Sequence, residues 1–408
     1  MSVSDNPVAA FDTFELQDRL FGDIRDPFPA LAAGRRRGEV VPGPPEVFVD
    51  ADDDFGNEIA PDAPTFTAYS HEAAAVILRD AEAFSSSILA EVMGHSIIQM
   101  DGDKHRRHRA LISVAFRQKA LMRWERELVR AVVDELIDRF VDAGHVELVR
   151  ALTFDFPVQV IARILGLPRP DYPMFQRWSI ELLSGVANWD RGQRAARALD
   201  SYFAGFVAER RASPSDDLIS DLCVAELDGH RLDDDEVFTF LRLLLPAGIE
   251  TTYRSLGNLL CALLTHPDQL DALGADRALI PQAIEEGLRW EPPFLFLLRN
   301  AVQDREVCGT TIPAGAVVNV CIGAANRDPA FCDDPDRFDV RRERRQHVTF
   351  GWGPHMCIGM HLARMEAAVA MNAVLDRLPN LRVDDDFDPP FVQGTAFRSP
   401  PALHVRFG

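Results

Sequence analysis

The stretch that most constrains this chain is Phe350-Gly-Trp-Gly-Pro-His-Met-Cys-Ile-Gly359. Gly351, Gly353 and Pro354 impose a tight, irregular loop ahead of Cys357, and an Ala/Leu/Met/Arg-rich run then reads as helix to about Leu378, where Pro379 stops it. Cys357 therefore falls at a loop-to-helix junction, where unpaired N–H groups and the positive end of the helix dipole favour a thiolate. Gly353 and Gly359 leave room for a flat, bulky group against the backbone. Such a thiolate suits an axial haem ligand. A lone cysteine is more often an inert core residue, so the loop by itself leaves both readings open.

The fixed positions Phe350, Gly351, Gly353, His355, Cys357 and Gly359 spell F-G-x-G-x-H-x-C-x-G. This resembles the haem-binding loop of the soluble bacterial cytochromes P450. Three further signatures resemble that family in the expected order, so the likeness spans nearly the whole chain. It implies the P450 fold: mainly α with a smaller β region, one large helical domain over residues 1–408, and haem between the central helix and the Cys-loop helix. Residues 1–20 read as a flexible lead-in. The resemblance implies haem b, with Cys357 as the iron ligand and Phe350, Gly351, His355 and Gly359 around it.

Asp101 to Phe116 opens like a helix entrance and places His105 and Arg109 four apart on one face. Spacing alone favours a solvated basic face, whereas the resemblance implies a helix that binds the haem propionates. Arg299 matches the family's further propionate-binding arginine.

Asp234 to Leu264 carries helix-period apolar residues on both faces, as a helix buried through a domain should. Within it, Pro246 and Gly248 weaken the hydrogen-bond ladder, and a threonine hydroxyl can bond a carbonyl there. A widened turn is expected, opening a groove for dioxygen or water. Ala247, Gly248, Glu250 and Thr251 complete a match to the family's A-G-x-[D/E]-T motif. By resemblance Ala247 and Gly248 lie over the haem, Thr251 assists O2 activation and Glu250 relays protons from solvent. Glu286 and Arg289 resemble the family's E-x-x-R, completed by Arg337 into a buried structural network behind the loop.

Two prolines force an extended course after Glu291, so alternate residues of Phe294 to Leu298 face opposite ways. In the family this segment passes the haem edge, while the stretch around Phe397 forms a hairpin tip entering the pocket. The expected wall is Ile97, Ile98, Leu244, Ala247, Phe294, Leu295, Phe296 and Phe397. It has no fixed charge and suits an apolar small molecule.

The chain has 43 basic and 63 acidic residues, and a net charge of -20 argues against nucleic acid or an anionic membrane as partner. Six cysteines without a C-x-x-C pair suit a reducing compartment. No signal peptide or membrane span is legible, so a soluble, cytoplasmic monomer without a membrane anchor is expected. The acidic run Asp50 to Asp54 reads as a solvated turn. By resemblance the activity is monooxygenation (hydroxylation or epoxidation) of a terpenoid, steroid, fatty acid or aromatic. O2 is the cosubstrate, and NAD(P)H acts indirectly through a separate ferredoxin and reductase. Arg341, Arg342, Arg344 and Arg345, with Arg106 and Arg107, mark a basic face for that donor. The alternatives are a peroxide-dependent haem-thiolate enzyme and a non-catalytic haem sensor or binding protein.

Overall fold

In the computed structural model, residues 22–48, 62–90, 96–183 and 189–408 are described. The lead-in, the acidic run Asp50 to Asp54 and residues 91–95 of the loop before α1 lie outside them. Five helices bear on the site: α1 (Gly102–Ser113), α2 (Asp155–Ile164), α3 (Asp234–Thr265), α4 (Ile280–Trp290) and α5 (Met360–Arg377).

Helix α3 begins at a capping box. The Asp233 carboxylate accepts from the Glu236 N–H, and the Glu236 carboxylate accepts from the Asp233 N–H. Leu243 to Pro246 and Leu256 to Leu264 are buried in unbroken runs along it, so it is packed round its circumference and runs through the core. It continues through Pro246 without interruption. The Thr251 hydroxyl donates to the Ala247 carbonyl at 2.7 Å, the bond expected of it, but within an unbroken helix. Helix α4 packs against α3 where Gly287 lies: a Cβ there would stand 3.0 Å from Leu259 Cδ1. Helix α5 starts after Gly359 and ends at Arg377, before Pro379.

Five strands form the main sheet: β1 (Val40–Pro42), β2 (Thr65–Ala68), β3 (Phe84–Ser85), β4 (Phe296–Ala301) and β5 (Val317–Cys321). Their order is β1-β2-β5-β4-β3. β5 runs parallel to β2 and antiparallel to β4, and every one of its residues is buried, which its Val-Val-Asn-Val-Cys sequence suits. This register sets Val318 opposite Arg299 and fixes where that arginine leaves the sheet. The large helical core surrounds α3, and a second apolar cluster lies between the sheet and the helix His71–Arg79. Among the described residues no helix is long and apolar enough to cross a membrane.

Candidate active site

The loop ahead of α5 is held by its own backbone. Gly351 N–H donates to the Val348 carbonyl and Cys357 N–H to the Phe350 carbonyl, each at 2.8 Å. Gly353 sits at φ +69°, and a Cβ there would lie 2.7 Å from the Leu78 carbonyl oxygen, so the loop can approach the helix His71–Arg79 only with glycine at this position. A buried amide that the sequence did not flag clamps the loop from behind. Asn326 Oδ1 accepts from Val348 N–H at 2.9 Å, and its Nδ2 donates to Thr349 Oγ1 at 2.8 Å.

The Cys357 side chain has open space before it, but that space is an internal cavity. Burial pushes its thiol up, and the Gly359 N–H, the Arg109 and Arg364 charges and the Met360 N–H oppose that rise. A bound metal cation reverses the balance, since a coordinating thiol is deprotonated outright.

At one edge of the cavity α1, β4 and the loop bring four donors together. The His105 and His355 rings are 4.1 Å apart, and His355 Nε2 lies 3.3 Å from Asp101 Oδ1. Arg109 Nη2 donates to the Met356 carbonyl, and Arg299 Nη1 donates to the Leu298 carbonyl at 2.8 Å. Burial, then the neighbouring His105 and Arg299, hold His355 down at about 4. Burial also lowers Arg299 to about 10, although the Asp101 carboxylate opposes this. The cluster is an excess of buried donors, and His105 Nε2 has no hydrogen-bond partner. A flat ligand bearing carboxylates at this edge and a metal over Cys357 satisfies both ends, so these residues fit haem.

Ala247, Gly248, Thr251 and Thr252 of α3 line the same cavity as Cys357. Glu250 does not line it. Its side chain is 1% exposed and its carboxylate lies 3.3 Å from Arg254 Nη2. Another acid does face the cavity: Glu366 of α5, beside Thr252 and wholly buried. Burial pushes it up to about 8, with the Thr252 hydrogen bond acting the other way, so at neutral pH it is protonated. The available signal was a carboxylate inside the apolar run Met365-Glu-Ala-Ala-Val-Ala-Met371.

The cavity measures about 430 Å³, within the range of small-molecule sites. Ile97, Ile98, Leu244, Phe294, Phe296 and Phe397 all line it, together with Phe116, Ile161 and Phe240, which the sequence did not place at the cavity. Phe294 and Phe397 form a β-bridge with ring centres 6.4 Å apart. Leu295 is a correction to the expected wall. It is fully buried on the other side, packed with Leu31, Tyr69 and Ala324, because the extended backbone turns neighbours of Phe294 to the opposite face.

Comparison with known proteins agrees with this geometry: residues 157–404 match the family model for cytochrome P450. The chain belongs to the cytochrome P450 family. Among its relatives, the erythromycin C-12 hydroxylase of Saccharopolyspora erythraea is 38% identical over 78% of this chain and 83% of its own length. A steroid C26-monooxygenase of Mycolicibacterium smegmatis is 34% identical, covering 76% and 79%. The structure of CYP109E1 from Bacillus megaterium, in complex with testosterone, superposes with a TM-score of 0.83 at 29% identity, covering 94% of this chain and 99% of that one. The chain is thus a P450 monooxygenase with the P450 fold, and the family implies haem-thiolate iron and O2.

Behind the P450 loop, Glu286 and Arg289 form a bidentate buried pair at 2.7 and 2.8 Å. The expected third member is corrected. Arg337 has a side chain 62% exposed and reaches only Asp339, at 3.7 Å; it gives the network its backbone carbonyl. Arg342 takes the place, with Nε 3.1 Å from Glu286 Oε1 and further bonds to the Asp333, Asp334 and Arg337 carbonyls. The chain turns at Asp334, which has φ +44°; beyond it the Arg337 side chain points to solvent and Arg342 returns to Glu286. A second pair was not foreseen: Arg364 of α5 binds Glu285 at 2.6 and 2.7 Å and lies over the Phe350 ring at 4.5 Å.

Proposed function

We propose that this P450 inserts one oxygen atom from O2 into a C–H or C=C bond of a large apolar molecule. Electrons would come one at a time from a ferredoxin-type donor reduced by NAD(P)H. The observation that carries this reading is one apolar cavity lined by Cys357 and by Ala247, Gly248, Thr251 and Thr252, with a donor cluster at its edge. Haem held there supplies oxygen activation, and thiolate ligation favours O–O cleavage.

Each part of the chain has a task in this reading. Cys357 gives the thiolate, while Arg109 and Arg299 neutralise the carboxylates and His105 and His355 offer ring N–H donors that fix the ligand's orientation. Phe350, Gly351 and Gly359 shape the loop, and Ala247 and Gly248 leave space over the opposite face. Thr251 holds a proton at its Oγ1 beside the cavity, and Glu250 replenishes it. Ile97, Ile98, Leu244, Phe294, Phe296 and Phe397 exclude water and orient the substrate by shape. Glu286, Arg289 and Arg342 keep the loop in place, and the 408 residues act as one P450 domain.

The wall bears no fixed charge, and the relatives named above act on a macrolide and on steroids, so multi-ring or macrocyclic apolar compounds are the substrate class. The electron donor would meet exposed Arg341, Arg344 and Arg345, with Arg106 and Arg107 nearby in sequence to the donor cluster. Arg342 drops out of that face because it is committed to Glu286.

The test is spectroscopic. The reduced CO complex should show the red-shifted Soret band of thiolate ligation, and a steroid and macrolide panel should include compounds that shift the iron spin state. A Cys357→His protein with an unchanged CO spectrum would overturn the ligand assignment. A panel in which only charged molecules shift the spin state would overturn the substrate class.

A further inference from the structure

Glu250 and Thr251 are neighbours in sequence, but about 100° separates successive residues around a helix. Thr251 lines the cavity and Glu250 does not. One turn further on, Arg254 makes two contacts with its terminal nitrogens: Nη2 lies 3.3 Å from Glu250 Oε2, and Nη1 donates to Ser399 Oγ at 2.9 Å. The side chains of Glu250 and Arg254 are 1% and 3% exposed. The guanidinium also lies 5.5 Å from the centre of the Phe397 ring.

Ser399 belongs to the hairpin that reaches the cavity. Gln393 and Ser399 exchange both backbone hydrogen bonds at 3.1 Å, closing a loop whose Phe397 lines the cavity and bridges Phe294. Arg398 anchors the same loop, its Nε donating to Glu291 Oε1 at 2.6 Å and its Nη1 to the Gly394 carbonyl at 2.6 Å. Phe397 is therefore two residues from the hydroxyl that holds Arg254. A molecule pressing on its ring moves a short, closed loop rather than a free side chain.

We propose that Arg254 and Ser399 are positioning residues that hold the Glu250 carboxylate turned from the cavity, and that occupancy at Phe397 releases it. The proposal rests on the oxygen-insertion reading of Glu250 and Thr251 given above. Held against Arg254 and off the cavity lining, the Glu250 carboxylate does not reach the Thr251 side of the helix until the pair loosens. On release, one proton passes from solvent to Glu250 and on to the Thr251 hydroxyl, which gives its own proton into the cavity. Both side chains end in their starting state. Proton supply is then withheld from an empty cavity and granted to a filled one.

Ser399→Ala removes the anchor without altering Glu250 or the cavity wall, and Arg254→Lys keeps the charge while shortening the reach. In the haem-loaded protein with a surrogate ferredoxin system, Ser399→Ala should raise substrate-free NAD(P)H oxidation about tenfold, a fraction of the ~10²–10⁴ a positioned proton donor supplies. It should also lower the solvent isotope effect on that oxidation and leave the reduced CO spectrum unchanged, and Arg254→Lys should fall between it and wild type. A second readout needs no turnover. With 4-phenylimidazole as the probe filling the cavity, hydrogen exchange should change together in segments 248–254 and 393–399 of wild type. In Ser399→Ala only 393–399 should respond. Wild-type exchange and isotope effects in Ser399→Ala, with a changed isotope effect in Glu250→Gln, would overturn the latch alone. An unchanged isotope effect in Glu250→Gln would overturn the proton role of Glu250 and the latch with it.

Discussion

Replacing Arg342 should unfold this protein far more readily than replacing Arg337, although the sequence points to Arg337 as the partner of Glu286. The Arg342 side chain is 15% exposed and makes an ion pair at 3.1 Å plus three bonds to backbone carbonyls. Removing one partner of a buried ion pair costs ~3–5 kcal/mol when the remaining charge is stranded. Glu286 is not wholly stranded here, since Arg289 and the Asp339 N–H still hold it. Three carbonyls, on the other hand, lose a charged donor. The lower end, ~3 kcal/mol for Arg342→Ala, is the expected figure. Arg337 is mostly solvated and 3.7 Å from its partner, so Arg337→Ala should cost ~0.5 kcal/mol or less. Equilibrium urea unfolding of the haem-loaded variants, followed by helix signal and by loss of the thiolate-type CO band, measures both. Equal midpoints for the two variants, or a larger loss for Arg337→Ala, would refute the assignment.

Thr251→Ala should keep consuming NAD(P)H and O2 while product per NAD(P)H falls ~10²-fold, the scale of losing one positioned proton donor; unchanged coupling would remove Thr251 from this role. Glu366 gives a pH signature. Its folded value of about 8 lies above the ordinary carboxyl value of 4.5, so the folded state keeps a proton that the unfolded chain releases. Stability should therefore fall as pH rises from 4.5 through 8, by at most ~5 kcal/mol at ~1.4 kcal/mol per unit. Glu366→Gln should flatten that slope in urea unfolding between pH 5 and 9, and parallel profiles would refute it. Arg344→Glu with Arg345→Glu should slow ferredoxin-supported turnover most at low ionic strength and leave the CO spectrum alone; equal salt dependence in both proteins would remove the patch.

Local chemistry made some of this structure legible and topology hid the rest. The Cys-loop glycines and the α5 stop at Pro379 follow from backbone rules that act within a few residues, and they are found where the sequence places them. His105 and Arg109 could be paired by helical spacing, but Arg299 joins them only through the β4–β5 register. The motif pointed to Arg337, yet it is Arg342, five residues further on, whose side chain returns to Glu286. Leu295 shows the same limit on a smaller scale. Alternation after the prolines was legible, but which of the two faces met the cavity depended on the bridge between Phe294 and Phe397, some hundred residues apart in the chain.

The largest gap concerns Glu250. Its motif places it beside Thr251 in sequence, and helical rotation turns the two side chains about 100° apart, but nothing local says what the carboxylate then meets. What the carboxylate meets there is set by Arg254 one turn on and by Ser399 near the end of the chain. An acid adjacent to a cavity hydroxyl in sequence is thus not yet a proton path in space. The path becomes one only when the contacts that turn the acid away are weaker than those that call it back. In this chain those contacts run through the same hairpin whose Phe397 lines the cavity, so under the latch proposed above proton supply belongs to the filled cavity rather than to the motif.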